Sequence, residues 1–200
     1  MKFFVDNRIL WSRIFVVFII IFLLISTHSW AKNSLIYLLM KWVGFIFVVT
    51  ATLGRLWCSI YISGYKEDVV INQGPYSMVR NPLYLFSFIG AMGLGLASAN
   101  IIVILIIFVL FTFFYPSVVS SEEKILLERH GNVFSDYINS TPKWFPKFSN
   151  FKRPKKYLVQ IKQFESSIIS SMWFLWFFLI FHIIELLHET NVLPTIIRIP

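Results

Sequence analysis

Two groups of residues in this chain have the types and spacing that chemistry needs. The first is the run Gly74-Pro75-Tyr76-Ser77-Met78-Val79-Arg80-Asn81-Pro82-Leu83-Tyr84, which joins one long apolar segment to the next. The second is the pair Glu122-Glu123, which follows two further apolar segments. Phenol, amide and carboxylate groups supply hydrogen bonds. Aromatic faces and carboxylates also stabilise a cation. Brought together at a membrane surface, the two groups make a site for a small polar molecule. Each also has a purely structural reading. Gly74-Pro75 breaks a helix, and Asn81-Pro82 starts one, with Asn81 as N-cap. Arg80 then snorkels to headgroups, and Tyr76 and Tyr84 are interfacial aromatics. Ser120 and Glu123 fit a capping box. That box accounts for one Glu more readily than for two. Neighbouring helical residues diverge by about 100°, so the two carboxylates have different jobs.

The elements that position these groups are membrane helices. The chain is 57% hydrophobic and 14% charged, against about 45–50% and 25% in soluble domains. Five apolar stretches stand out. They are residues 14–31, 35–63, 83–99, 101–119 and 168–187, near the roughly 20 residues a span requires. The third and fourth are separated only by Ser98-Ala99-Asn100 and predict an antiparallel hairpin. The first has a basic lead (Lys2, Arg8, Arg13), like a signal peptide, but apolar residues interrupt that lead and Ser29-Trp30-Ala31 is a poor cleavage match. A retained helix is the expectation. Residues after Ser120 read as an amphipathic helix on the membrane surface, with Gly131 in its middle. Residues 141–156, with Pro142, Pro146 and Pro154, read as an irregular linker with Trp144 and Phe145 at headgroup depth.

Charge sets the expected orientation. The net charge is +8, and most of the excess lies between Lys143 and Lys162, beside an apolar span. That placement fits membrane topology and anionic lipid better than nucleic acid. It puts the N-terminus, the Gly74–Tyr84 turn and Glu122-Glu123 on the cytoplasmic face, and the C-terminus on the other. The single cysteine, Cys58, excludes an internal disulfide and reads as a small apolar helix residue. His28, His130, His182 and His188 share no metal-ligand spacing, so no metal site is expected. Gly93-Leu94-Gly95 reads as close helix packing. The expected fold is an all-α integral membrane protein of about five transmembrane helices. Residues 1–36 form an N-terminal helix, 37–150 a core with three helices and the site, and 151–200 a basic linker and C-terminal helix.

Taken together, the motifs resemble the isoprenylcysteine carboxyl methyltransferase and phospholipid methyltransferase family. The family's Arg-His-Pro-x-Tyr turn, preceded by Gly-x-Tyr, is similar to Arg80-Asn81-Pro82-Leu83-Tyr84 after Gly74-Pro75-Tyr76. Its Glu-Glu-x-x-Leu helix with Gly-x-x-Tyr and a Pro-containing exit is similar to Glu122-Glu123-Lys124-Ile125-Leu126, Gly131, Phe134, Tyr137 and the stretch from Pro142 to Pro146. The resemblance covers roughly residues 50–146. It implies S-adenosylmethionine held by Asp68, Val69, Val70, Ile71, Tyr76, Asn81, Pro82, Leu83, Tyr84 and Glu122. It also implies methyl transfer to a lipidic or lipid-linked acceptor, such as an isoprenylcysteine-type carboxylate. Phospholipid N-methylation and a non-catalytic membrane protein retaining the fold are the alternatives. Two departures bear on the acceptor. Asn81 stands where His is common and cannot titrate near neutral pH. Val118 stands where prenylcysteine-methylating members have an Arg, so no cation is available there for a carboxylate.

Overall fold

The computed structural model describes residues 8–65 and 69–199. Its frame is a set of apolar helices: α1 (Arg8–Ile25), α2 (Leu35–Ile62), α4 (Pro82–Ala97), α5 (Ile101–His130) and α7 (Ile161–Glu189), with the single turn α3 (Pro75–Met78) and the short α6 (Asn132–Ser140) between them. Three of these, α2, α5 and α7, are long and apolar enough to cross a membrane, while α1 and α4 are shorter. Large apolar side chains such as Leu53, Phe113, Trp176 and Ile183 point outward and are exposed. A chain that keeps its apolar residues on the outside is matched to hydrocarbon rather than water, and its backbone must be satisfied within helices.

The interior is small and contributed by all five long elements. Ile19 of α1, Val48 of α2, Leu94 of α4, Val103 and Ile107 of α5, and Phe181 and Ile184 of α7 form one buried cluster. The closest approach is between α2 and α4. A Cβ added to Gly93 would lie 2.8 Å from the Gly44 carbonyl oxygen, and one added to Gly44 would lie 2.7 Å from the Ala97 nitrogen. Gly93 is therefore a packing residue, as its sequence context predicts: without a side chain, two backbones can touch.

Three boundaries differ from the sequence expectation. First, α5 does not stop near Val119. It continues through Glu122-Glu123 to His130 as one helix of 30 residues, about 45 Å long at 1.5 Å per residue. Ser120 lies inside it, so the capping box does not form. Ser-Ser-Glu-Glu carries no breaker, and the interior Pro116 removes only one backbone donor. The break comes at Gly131, whose φ of +52° favours glycine and which caps α5 and opens α6. Second, the first apolar helix ends at Ile25. Ser26–His28 forms a short strand, β1, paired in parallel with β2, Ile197–Ile199. Backbone bonds from Ile196 to Ile25 and from Ser29 to Ile199 extend that pairing. Third, α7 begins at Ile161, earlier than its apolar stretch.

The linker after α6 is irregular, as its prolines predict, but it is not loose. It straps across α3. Arg80 N–H donates to the Pro142 carbonyl at 2.9 Å, Lys147 N–H to the Met78 carbonyl at 2.9 Å, and Gly74 N–H to the Lys152 carbonyl at 2.8 Å. Phe145 and Phe148 project from this strap and are exposed.

Candidate functional site

The turn after α2 is built by backbone rather than by caps. Gly74 adopts φ +58°, a conformation open to glycine, and its missing side chain leaves room for the Tyr61 ring, 2.3 Å from where a Cβ would sit. Pro75 opens α3 and Pro82 opens α4. Ser77 Oγ donates to the Gly74 carbonyl at 2.7 Å and accepts from Lys152 N–H at 2.9 Å. These bonds fix the loop so that Tyr76 turns inward and is 7% exposed.

Asn81 does not cap α4 with its side chain. Its Nδ2 instead donates to Glu123 Oε1 at 3.2 Å. Arg80 does not snorkel outward. Its Nε lies 3.6 Å from the same carboxylate oxygen, with the side chain 12% exposed. Lys143, from the strap, reaches Glu123 Oε2 at 3.1 Å and Ser120 Oγ at 3.1 Å. Glu123 is thus the clamp that joins turn, helix and strap. Charge-assisted bonds of this kind are the stronger ones, and three partners offset the cost of removing a carboxylate from water. Beside it, Glu122 faces the same cleft.

The cleft has a volume of about 130 Å³. Of the sequence-predicted residues, Val69, Val70, Ile71, Tyr76, Asn81, Leu83, Tyr84 and Glu122 line it. Pro82 is fully buried and does not line the cleft. Asp68 lies outside the described residues. The cleft also takes Arg80, Glu123, Phe134 and Tyr137, which belong to the motifs but carried no predicted contact. Polar and apolar residues divide the wall: Val69, Val70, Ile71, Leu83, Ile125, Leu126 and Phe134 against Arg80, Asn81, Glu122 and Glu123.

Two buried groups in this wall, Arg80 Nε and the Tyr76 hydroxyl, make no hydrogen bond, though Arg80 has the ion pair with Glu123. The Tyr76 carbonyl accepts from Tyr137 Oη at 2.7 Å. Burial pushes the Tyr76 phenol well above its ordinary 10.0, and it raises Tyr137 likewise. Both remain neutral donors across the physiological range. An orphaned buried donor costs about 1–3 kcal/mol, which a ligand acceptor in the cleft would recover. A cation beside Glu122 and the aromatic faces would be stabilised in the same place. The residues present therefore fit a polar, cation-bearing molecule with an apolar body. Val118, 2% exposed in α5, adds no charge.

Fold and cleft together define a predominantly helical membrane protein with an apolar-walled pocket carrying a few charged and polar groups at one end of its bundle. The chain belongs to the phospholipid methyltransferase family, whose sequence profile matches residues 34–133. It is similar to the nickel-cobalt-cadmium resistance protein NccN of Alcaligenes xylosoxydans xylosoxydans, with 38% identity over 92% of this chain and 86% of the relative. It is also similar to the cobalt-zinc-cadmium resistance protein CzcN of Cupriavidus metallidurans, with 32% identity over 99% of this chain and 91% of the relative. No solved structure matches the chain.

Proposed function

We propose that this protein is a membrane methyltransferase that uses S-adenosylmethionine and modifies a lipidic or lipid-linked acceptor. The observation that carries the reading is the unpartnered Tyr76 hydroxyl in a cleft that also holds Glu122 and Glu123. In this reading Val69, Val70, Ile71 and Leu83 cover the apolar body of the cofactor. Glu122 accepts hydrogen bonds from its ribose hydroxyls or amino group, the Tyr76 hydroxyl donates to one of its acceptor atoms, and the Tyr84 ring lies beside its cationic end. Asp68 and Pro82 belong to the same proposed set, Pro82 through its backbone. The bound cofactor would supply an electrophilic methyl group. The protein would act by positioning the acceptor in line with that methyl and excluding water.

The reading places the cleft and the N-terminus on the cytoplasmic face, where the cofactor is made, and the C-terminus opposite. The basic strap (Lys143, Lys147, Lys152, Arg153) supports that orientation, because Lys and Arg accumulate on the cytoplasmic side. The acceptor would enter laterally between helices with its tail in lipid. Carboxyl O-methylation and amine N-methylation both stay within the reading. Val118 gives a carboxylate no cation to bind, which favours an acceptor other than a prenylcysteine. The two relatives carry metal-resistance names. We place this chain in the same setting as a modifier of a membrane component.

The test is equilibrium binding of S-adenosylmethionine to purified protein, followed by incubation of membranes with methyl-labelled cofactor. Labelling of one lipid fraction, weakened in Glu122→Ala at subsaturating cofactor, is the expected result. No binding at millimolar cofactor with the fold intact would sink the proposal. Binding without labelling of any fraction would favour a non-catalytic protein that retains the fold.

A further inference from the structure

A second cavity lies at the other end of the bundle, where β1 and β2 meet the start of α2, the α4–α5 corner and the end of α7. Its volume is about 340 Å³. From Lys41, in its wall, to Ile62, in the cleft wall, α2 rises roughly 30 Å at 1.5 Å per residue. That is about the thickness of a bilayer core, so the cavity and the cleft sit at opposite membrane faces.

The carboxylates of this cavity are already engaged. Glu185 takes His28 Nε2 at 3.0 Å, Tyr37 Oη at 2.9 Å and an ion pair with Lys41. Lys41 also donates to the Ala97 carbonyl at 2.5 Å. Glu189 is ion-paired with Lys32. The unpaired groups are of the other kind. Asn100 is 1% exposed. Its Oδ1 accepts from Ile102 N–H at 3.1 Å and Val103 N–H at 3.4 Å, and its Nδ2 has no partner. Trp30 Nε1 is also buried without a partner. Arg198 of β2 joins the same wall. With the histidines neutral, three cations (Lys32, Lys41, Arg198) stand against two carboxylates (Glu185, Glu189). Buried donors without acceptors, in a net positive cavity at headgroup depth, call for a ligand rich in anionic oxygen.

We propose that this cavity binds a phosphate-type oxyanion, either free phosphate or the phosphate of a lipid headgroup. A divalent cation has the opposite chemistry. Both carboxylates face lysines, and among the described residues no three His, Cys, Asp or Glu side chains are grouped to hold a metal.

The experiment uses the full chain in detergent. Inorganic phosphate is titrated by calorimetry, and phospholipid retained through purification is weighed by native mass spectrometry. Asn100→Asp keeps the Oδ1 that caps α5 but replaces the donor with an anion. Arg198→Gln removes an exposed cation without touching the core. Each substitution is expected to weaken phosphate binding by about tenfold or more, or to strip the retained lipid, and Arg198→Gln to do so at an unchanged unfolding midpoint. Saturable phosphate binding identifies the free ion as the source. Retained lipid lost in Asn100→Asp identifies the headgroup. The proposal is overturned if the wild-type protein neither binds phosphate nor retains phospholipid. It is also overturned if both variants behave as wild type, or if Co²⁺ binds there with affinity that Asn100→Asp increases. S-adenosylmethionine binding, measured on the same samples, stands or falls separately because it reads the other end of the bundle.

Discussion

The side-chain amide of Asn81 donates to Glu123 Oε1 at 3.2 Å, and this bond ties the start of α4 to a point three-quarters of the way along α5. A histidine at this position could exchange a proton with the carboxylate. Asn81 can only hold it. Asn81→Asp places a like charge against Glu123 and is expected to weaken S-adenosylmethionine binding by at least about tenfold, near 1.4 kcal/mol. Asn81→His should retain binding and introduce a pH dependence near 6.5. Titration of affinity between pH 5.5 and 8 in the three proteins checks both statements, and a flat Asn81→His profile would contradict the second.

Glu122 and Glu123 are expected to separate in their effects. Glu123→Gln removes the charge that Arg80 and Lys143 share, so it should lower stability by about 1–3 kcal/mol. Glu122→Ala should reduce cofactor affinity about tenfold, with a smaller loss of stability than Glu123→Gln. Thermal unfolding in detergent, run beside binding, distinguishes the clamp from the ligand-facing carboxylate. Equal effects of both substitutions on both readouts would refute the division of labour.

Tyr76→Phe removes a hydroxyl that has no partner in the ligand-free protein. Stability at neutral pH should therefore stay level or rise, by up to about 1 kcal/mol, while cofactor affinity falls. A substitution that costs both would show the hydroxyl to be structural. The pH dependence follows from the same burial. The folded-state pKa of Tyr76 lies above 10.0, so the folded protein holds this proton more tightly than the unfolded chain. Stability is therefore independent of this group's titration below about pH 10 and declines as the pH climbs from there toward the folded-state value. Tyr76→Phe should make the alkaline decline of the unfolding midpoint shallower.

Gly93→Val tests the α2–α4 contact. The added Cβ would lie 2.8 Å from the Gly44 carbonyl oxygen and 2.9 Å from the Val48 nitrogen, and both are backbone atoms that cannot step aside. A loss of about 1–3 kcal/mol is expected, read as a lower midpoint in thermal unfolding. Gly131→Ala meets no atom within 4 Å, but its φ of +52° still strains an L residue, so the loss there should be smaller.

The helical architecture was legible because apolar runs near membrane length leave few other folds open. Gly74-Pro75 and Asn81-Pro82 marked the turn for the same local reason. The packing role of Gly93 could be read from its setting in an apolar helix. The cleft wall was legible residue by residue only through the family motifs. Nothing in local sequence says that Asn81 prefers Glu123, 42 positions away, to its own helix end. The continuity of α5 past Ser120 was hidden because a Ser-x-x-Glu pattern reads equally well as a cap or as helix interior, and tertiary support decides. The pairing of Ser26–His28 with Ile197–Ile199 is a non-local contact between three-residue pieces, too short for any periodicity to show. The second cavity was missed for a related reason. His28 is 157 positions from Glu185 in the chain, yet the fold brings its Nε2 within 3.0 Å of that carboxylate.

The strap across α3 is held by main-chain groups: the carbonyls of Pro142, Met78 and Lys152 and the N–H groups of Arg80, Lys147 and Gly74. Such a fastening leaves the identity of most strap side chains free to drift between relatives. What it forbids is imino acid at a donor position. Proline is welcome at 142, which only accepts, and ruinous at 147, which must donate.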